Sequence, residues 1–307
     1  MRNAFARTII DLAAMDPRII LLTADLGFMV LEPFAQRFPE RFINAGVAEQ
    51  NMVGVATGLA EAGFIPYVYS IANFSVLRPY EFIRNGPLYH RLPVRIIGVG
   101  DGFDYGSAGF THHCLEDVGL LRMLPGMTVV VPSTPQETIS ALYQLKEVSG
   151  PVYFRLGKSV NALPEGTPFD SMHLTLFRPG RNALILAMGG IVVEALAAAE
   201  KLQALGFSCE VATVPSIQPP PLGQLIEALS RFSVCATVES HFVKGGLASL
   251  VSEIIAERGI KCRLIPFGVR TLDDVRSGSV AYLRKLHGLD CDSIVKRLHS
   301  SLTETRA

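Results

Sequence analysis

Six side chains within the first 160 residues combine a type that does chemistry with a suggestive place in the sequence: Asp25, Glu49, His112, His113, Arg155 and Lys158. Glu49 lies in NAGVAEQNMVGVATGLAEAG (44–63), at the start of a predicted helix that also carries Gly54, Ala56, Gly58 and Ala60. Taken alone it reads as a first-turn carboxylate favoured by the helix dipole, and the small residues read as a close-packing face. Asp25, which closes ILLTAD, reads alone as a helix cap. His112 and His113 are adjacent, and neighbouring imidazoles without a third ligand make a poor metal site. The forked guanidinium of Arg155 has the shape that suits phosphate oxygens, and Lys158 follows closely.

The elements that must position these groups are legible as alternating short apolar runs and longer helical patterns. Strands are predicted at 19–25, 41–46, 64–70, 94–100, 127–133 and 151–157, with helices such as 49–62 and 135–147 between them. Apolar strands alternating with helices indicate a parallel sheet covered on both faces. Ligands of such sheets sit at the carboxyl ends of strands. That rule selects Asp25, the Gly46–Glu49 turn, Ser70–Phe74, the loop from Gly98 to His113, and Arg155–Lys158. A Pro- and Gly-rich stretch without period (161–181) reads as a linker. A second α/β pattern follows, with ALILAMGG, a helix over 191–205, CEVATVPS, a helix near 222–230, VCATVES, and a helix over 245–257 after a Gly-Gly turn.

Composition narrows the function classes. The chain has 307 residues, about two domains' worth, and 28 basic residues balance 28 acidic ones. No basic stripe points to nucleic acid or to an anionic membrane. The five cysteines, Cys114, Cys209, Cys235, Cys262 and Cys291, form no C-x-x-C pair, which argues for reduced intracellular thiols. The start reads as an amphipathic helix without a signal-peptide core. The longest apolar run, Ala183 to Val193, has 11 residues, too short to span a bilayer. The expectation is a soluble, cytoplasmic protein with an apolar share of 49% that hints at buried contact surface beyond one domain.

The order of the motifs resembles the transketolase family of thiamine-diphosphate enzymes. G-x-x-E followed by a small-residue helix is similar to that family's cofactor-activating motif. The resemblance implies that Glu49 hydrogen-bonds the cofactor's aminopyrimidine, for which its carboxyl must be buried. SIANFSVL (70–77) resembles the family's aromatic cradle, with Phe74 stacking on the pyrimidine and Ile71 and Leu77 beside it. Asp25 falls on a family Asp near the cofactor. GFTHHCLEDVGLLRMLPGMTVVVPSTPQET (109–138) is similar to the family's substrate segment, with His112 as the substrate-facing, catalytic His. In VYFRLGK the resemblance gives Arg155, with Lys158, contact to substrate phosphate. VESHFVKGGLASLVSEII (238–255) resembles the family's C-terminal signature; no catalytic role follows, and the Gly pair reads as a tight turn before a helix. The likeness covers nearly the whole chain and is strongest over 40–140.

The implied architecture is α/β with two doubly wound domains: a parallel-sheet pyrimidine-binding domain (1–165), a linker (166–178) and a smaller mixed-sheet transketolase C-terminal domain (179–307). The implied cofactors are thiamine diphosphate and Mg2+. The family holds the metal with G-D-G and a later Asn on another domain. Gly100-Asp101-Gly102 cannot serve here, because no Asn occurs between Asn85 and Asn161. The magnesium ligands are therefore expected on a partner, an N-terminal diphosphate-binding subunit, in an α2β2 heterotetramer that transfers a glycolaldehyde unit between sugar phosphates. Ala108 and Gly100 stand where sugar transketolases have an Asp and a His, which leaves the sugar open. Three other readings stand beside this one: the β subunit of a 2-oxo acid dehydrogenase, a carboligase resembling deoxyxylulose-phosphate synthase, and a non-catalytic scaffold.

Overall fold

The computed structural model describes residues 1–158, 170, 172–271 and 276–306. Its strands are β1 (Ile19–Thr23), β2 (Phe42–Asn44), β3 (Ile65–Ile71), β4 (Arg95–Val99), β5 (Thr128–Val130), β6 (Val152–Leu156), β7 (Thr175–Arg178), β8 (Ala183–Met188), β9 (Cys209–Thr213), β10 (Ser216–Gln218), β11 (Val234–Phe242) and β12 (Arg263–Val269). The strands β1, β3, β4 and β6 are buried along their whole length. That is why they read as unbroken apolar runs and not as alternating ones.

Seven strands form the larger sheet in the order β10-β5-β6-β4-β3-β1-β2, and five form the smaller in the order β12-β11-β8-β9-β7. All six strands of the first α/β pattern are parallel. The chain steps outward from β1 to β2, then crosses back to β3, so the strand order reverses beside β1 and opens a crevice there. In the smaller sheet β7 runs antiparallel to β9 and the rest are parallel, a mixed sheet as expected. The stretch read as linker (166–178) contributes β7 to this sheet, while its residues 166–169 and 171 lie outside the described residues. Among the described residues no helix is long and apolar enough to cross a membrane.

The two sheets are not independent. β10, which follows β9 in sequence, pairs antiparallel with β5 at the edge of the larger sheet. One apolar cluster runs through both units, bringing Val118, Leu121 and Val131 together with Met188, Leu225, Leu247 and Val251. At its centre lies a buried polar joint. Asp117 Oδ2 accepts from Tyr153 at 2.6 Å and from Arg155 Nε at 2.8 Å. Arg155 Nη2 crosses the boundary, donating to the Cys114 carbonyl at 2.7 Å and to the Ser240 carbonyl at 3.1 Å. From the other side, His241 Nε2 accepts from the Gly119 amide at 3.3 Å and lies 3.9 Å from Asp117.

Both the carboxylate and the histidine of E-x-H-x-x-x-G-G serve this joint. Glu239 accepts from the amides of Leu247 and Ala248 at 2.7 and 2.9 Å, which caps the helix Leu247–Arg258. A Cβ at Gly246 would overlap the Glu239 carboxylate, and Gly245, at φ +84°, lets its backbone meet that of Gly119. The glycine pair therefore does more than turn the chain: it admits a buried carboxylate and a backbone contact between the units.

Burial pushes the His241 pKa down to about 4, against the pull of the nearby Asp117 carboxylate. Its ring is already committed as a neutral tautomer, since Nε2 accepts from Gly119 and Nδ1 faces the Phe242 carbonyl at 2.7 Å. The unfolded chain takes up this proton near pH 6.5, whereas the folded chain resists it until about pH 4. Stability from this group is present above pH 6.5 and falls as pH drops toward 4. The full loss amounts to about 3 kcal/mol. Denaturant titrations of wild type and His241→Gln between pH 7 and 4 should show a shallower loss in the variant. Equal slopes would assign the acid sensitivity elsewhere.

Candidate functional site

The loops that follow β1, β2, β3, β4 and β6 all emerge at one end of the larger sheet, the carboxyl end of its parallel strands. Glu49 begins the helix Glu49–Glu61 after β2 and is only 2% exposed. Its Oε1 accepts from Ser70 Oγ on β3 at 3.3 Å, and its Oε2 accepts from Arg78 Nη1 at 2.7 Å. Both contacts lie outside its own helix, so the carboxylate faces the crevice and its placement is more than a dipole effect. The turn that delivers it needs Gly46, at φ +69°.

Arg78 links Glu49 to the cradle. Its Cζ lies 4.4 Å from the ring centroid of Phe74, which is half-buried in the short helix Ala72–Val76. His112 meets the same ring edge-on, with centroids 5.2 Å apart. Tyr105 lies on beyond, 6.4 Å from His112 between centroids, and Lys158 Nζ stands 3.1 Å over the Tyr105 ring. Glu49, Arg78, Phe74, His112, Tyr105 and Lys158 thus form an unbroken run of side-chain contacts. Ile71, the last residue of β3, is buried, and Leu77 is exposed.

Asp25 follows β1 with φ +55° and is exposed. It is held reciprocally by Asn44, whose Nδ2 donates to the Asp25 carboxylate while its Oδ1 accepts from the Asp25 amide, both at 3.0 Å. The same Oδ1 accepts from the Gly46 amide at 3.0 Å, so one asparagine fastens two loops of the site. His113 diverges from its neighbour and is buried edge-on against Phe103, 5.2 Å between centroids. Burial lowers its pKa, and among the described residues no three His, Cys, Asp or Glu side chains gather as metal ligands.

Arg155 requires a correction. It was expected at a substrate phosphate, yet its side chain has no exposed surface, its Nε and Nη2 are committed to Asp117 and to two carbonyls, and Nη1 stands 3.8 Å from Asp101 without a hydrogen bond. Burial alone would lower its pKa, but Asp117 and Asp101 outweigh burial and raise it. Asp117 is held below the usual carboxylate range, because Arg155 and the other partners overcome the opposing effect of burial. An arginine so placed is a structural cation. Lys158, exposed after β6, does reach the crevice, with its amide donating to Asp104 at 2.6 Å.

Arg78 and Asn44 were not singled out as site residues, and Ser70 and Tyr105 were covered only by the selected segments Ser70–Phe74 and Gly98–His113, with no role of their own. Asn44 closes β2 and Ser70 stands one residue before the end of β3, which is a signal the strand-end rule offers. Tyr105 carried none, since its place depends on Gly100: a Cβ there would overlap the Tyr105 ring. Gly100, at φ +87°, thus makes room for a tyrosine rising from further along the loop.

Comparison with known proteins agrees with this geometry. The family model described as "Transketolase, pyrimidine binding domain" matches residues 1–162, and "Transketolase, C-terminal domain" matches 173–294. A protein of Methanocaldococcus jannaschii described as "Putative transketolase C-terminal section" is 36% identical over 97% of this chain and 95% of its own length. One of the subunits of an apulose-4-phosphate transketolase, from Actinobacillus succinogenes, is 34% identical over 86% of each chain. The solved structure "Split gene transketolase, inactive beta4 tetramer" superposes with a TM-score of 0.85 at 34% identity, covering 98% of this chain and 97% of that one.

Because Asp117 would be left buried without its cation, Arg155→Met should cost about 3–5 kcal/mol of stability. Lys158→Ala, at an exposed position, should change it by less than about 0.5 kcal/mol. Urea titrations of both variants measure the split, and comparable losses would contradict the assignment.

Proposed function

The chain belongs to the transketolase family, and on that premise we propose that it is the cofactor-activating subunit of a split, thiamine-diphosphate-dependent transketolase, completed by a second polypeptide. The observation that carries this reading is the buried Glu49 carboxylate, held by Ser70 and joined through Arg78 to the ring of Phe74. A flat aminopyrimidine needs one carboxylate in its plane and one apolar face for stacking, and Glu49 and Phe74 supply both. Bound thiamine diphosphate supplies an acidic carbon that adds to a carbonyl and takes up the electrons of a cleaved C–C bond.

Glu49 would hydrogen-bond the pyrimidine nitrogen and hold the proton there, while Ser70 Oγ fixes the orientation of the carboxylate. Phe74 stacks, Ile71 and Leu77 border the ring, and Asp25 stands at the rim. His112 turns toward substrate oxygen. Thr111 Oγ1 lies 2.9 Å from its Nδ1, which leaves Nε2 to hold or move a proton. Lys158 meets the substrate phosphate in place of Arg155. Transfer of a two-carbon ketol unit between sugar phosphates is the reaction these roles serve.

We assign the magnesium ligands to the partner subunit. Asp101 of the G-D-G run is 4% exposed and faces the buried Arg155 at 3.8 Å, away from the crevice surface. The surface around the site also supports a partner. Phe28, Met29, Val47, Leu77 and Phe82 are 70%, 94%, 72%, 41% and 43% exposed in the connections that follow β1, β2 and β3. Beside them Gly54, Thr57, Glu81, Phe82, Asn85 and Gly86 line a groove of about 400 Å³. So much exposed apolar surface at the mouth of one site is the mark of an interface. An α2β2 assembly would cover it.

The substrate is inferred to be a modified or branched sugar phosphate. Ala108 offers no side-chain hydrogen bond, and at position 100 a tyrosine ring fills the volume that a histidine takes in sugar transketolases. Sites lacking a polar partner for a hydroxyl lose discrimination for it.

The chain and its partner subunit, purified separately and mixed, should show ketol transfer that neither shows alone. Glu49→Ala should assemble normally and lose at least about 100-fold in turnover, the scale of a lost proton-transfer group. Retained turnover in that variant, or best turnover with xylulose 5-phosphate and ribose 5-phosphate, would overturn the catalytic or the substrate part of the reading respectively.

A further inference from the structure

Arg78 takes no part in the roles just assigned, yet its guanidinium sits between the two residues that define the pyrimidine place. Nη1 donates to Glu49 Oε2 at 2.7 Å, and Cζ lies over the Phe74 ring at 4.4 Å. A guanidinium is flat, delocalised and edged with N–H donors, so it can stack and donate in plane at once. Those are the same two interactions that an aminopyrimidine asks of Glu49 and Phe74. The Glu49 side chain is 1% exposed and that of Arg78 is 46% exposed, so Arg78 stands on the solvent side of the carboxylate.

We propose that Arg78 is a placeholder for the cofactor's pyrimidine ring, stacked on Phe74 and paired with Glu49 until the ring displaces it. This rests on the reading of the site given above. A buried carboxylate left without a partner is costly, and the guanidinium meets that need before cofactor arrives. It can also leave at small cost, because the side chain is nearly half in solvent and follows the short helix Ala72–Val76 into an exposed stretch with Leu77. Cofactor binding is then an exchange in which the ring takes the Glu49 contact and the Phe74 face, and Arg78 swings out to water. Ser70 Oγ remains on the other carboxylate oxygen throughout, so Glu49 keeps its orientation while its partner changes.

The proposal has an unusual sign. Removing a cation beside the site of an anionic cofactor weakens binding by ordinary electrostatics. Removing a competitor strengthens it. Calorimetric titration of thiamine diphosphate into the assembled two-subunit complex at fixed Mg2+ separates the two. Arg78→Ala should bind about tenfold tighter than wild type, and Arg78→Lys, which keeps the charge but loses the plane, should fall between them. Weaker or unchanged binding in Arg78→Ala with normal binding in wild type overturns the placeholder role and leaves the site reading intact. If Arg78→Ala fails to assemble, Arg78→Lys alone decides, and binding no tighter than wild type overturns the proposal. No binding in the wild-type complex overturns the site reading, and this inference with it.

Discussion

The buried pair of Arg155 and Asp117 is the contact from which the rest of the molecule takes its geometry. Neither side chain has exposed surface, and a charge so placed persists only if its partner and its hydrogen bonds are in position. Arg155 comes from β6 and Asp117 from the helix that follows the histidine loop, so the pair fixes that loop against the sheet. The same guanidinium holds the Ser240 carbonyl of β11, which brings the smaller sheet into the arrangement. The loop bearing His112 is therefore anchored from behind by a charge pair while its front faces the crevice. Precision at the site is supplied by residues that no ligand touches.

Much of this plan was readable in the residues. All six strands of the first unit, their parallel order and the helix opened by Glu49 follow from apolar runs and small-residue spacing, because full burial on both faces leaves a plain signature. Asp25, Glu49, Phe74, His112 and Lys158 were found at one end of the sheet, since strand ends impose that placement. What could not be read were the relations that depend on tertiary burial. Arg155 and Lys158 are three positions apart and equally cationic in sequence, yet one points into the joint and the other toward the crevice. Tyr105 and Gly100 likewise make sense only as a pair, one giving up a side chain so that the other can lie there.

The E-x-H-x-x-x-G-G run shows the same limit from another side. Its spacing signals a turn and a helix start, and both are present. The carboxylate and the imidazole, which look like catalytic equipment, are instead spent on a helix cap and on the seam between sheets. Burial raises the Glu239 pKa to about 8 and lowers that of His241 to about 4, which favours the neutral form of each. Strong perturbation of a titratable group is commonly taken as a mark of function. Here it marks a seam, while the carboxylate that faces the crevice is that of Glu49.

The pairing of β10 with β5 sets an order on synthesis. β5 presents one edge to β6 and the other to a strand encoded after β9, so the larger sheet cannot close when the ribosome has finished its first six strands. Until the following unit has emerged, that edge is an open row of backbone donors and acceptors, the kind that invites pairing with a stray chain. A nascent chain of this protein therefore carries an open edge at β5 until β10 arrives, and its two units mature together.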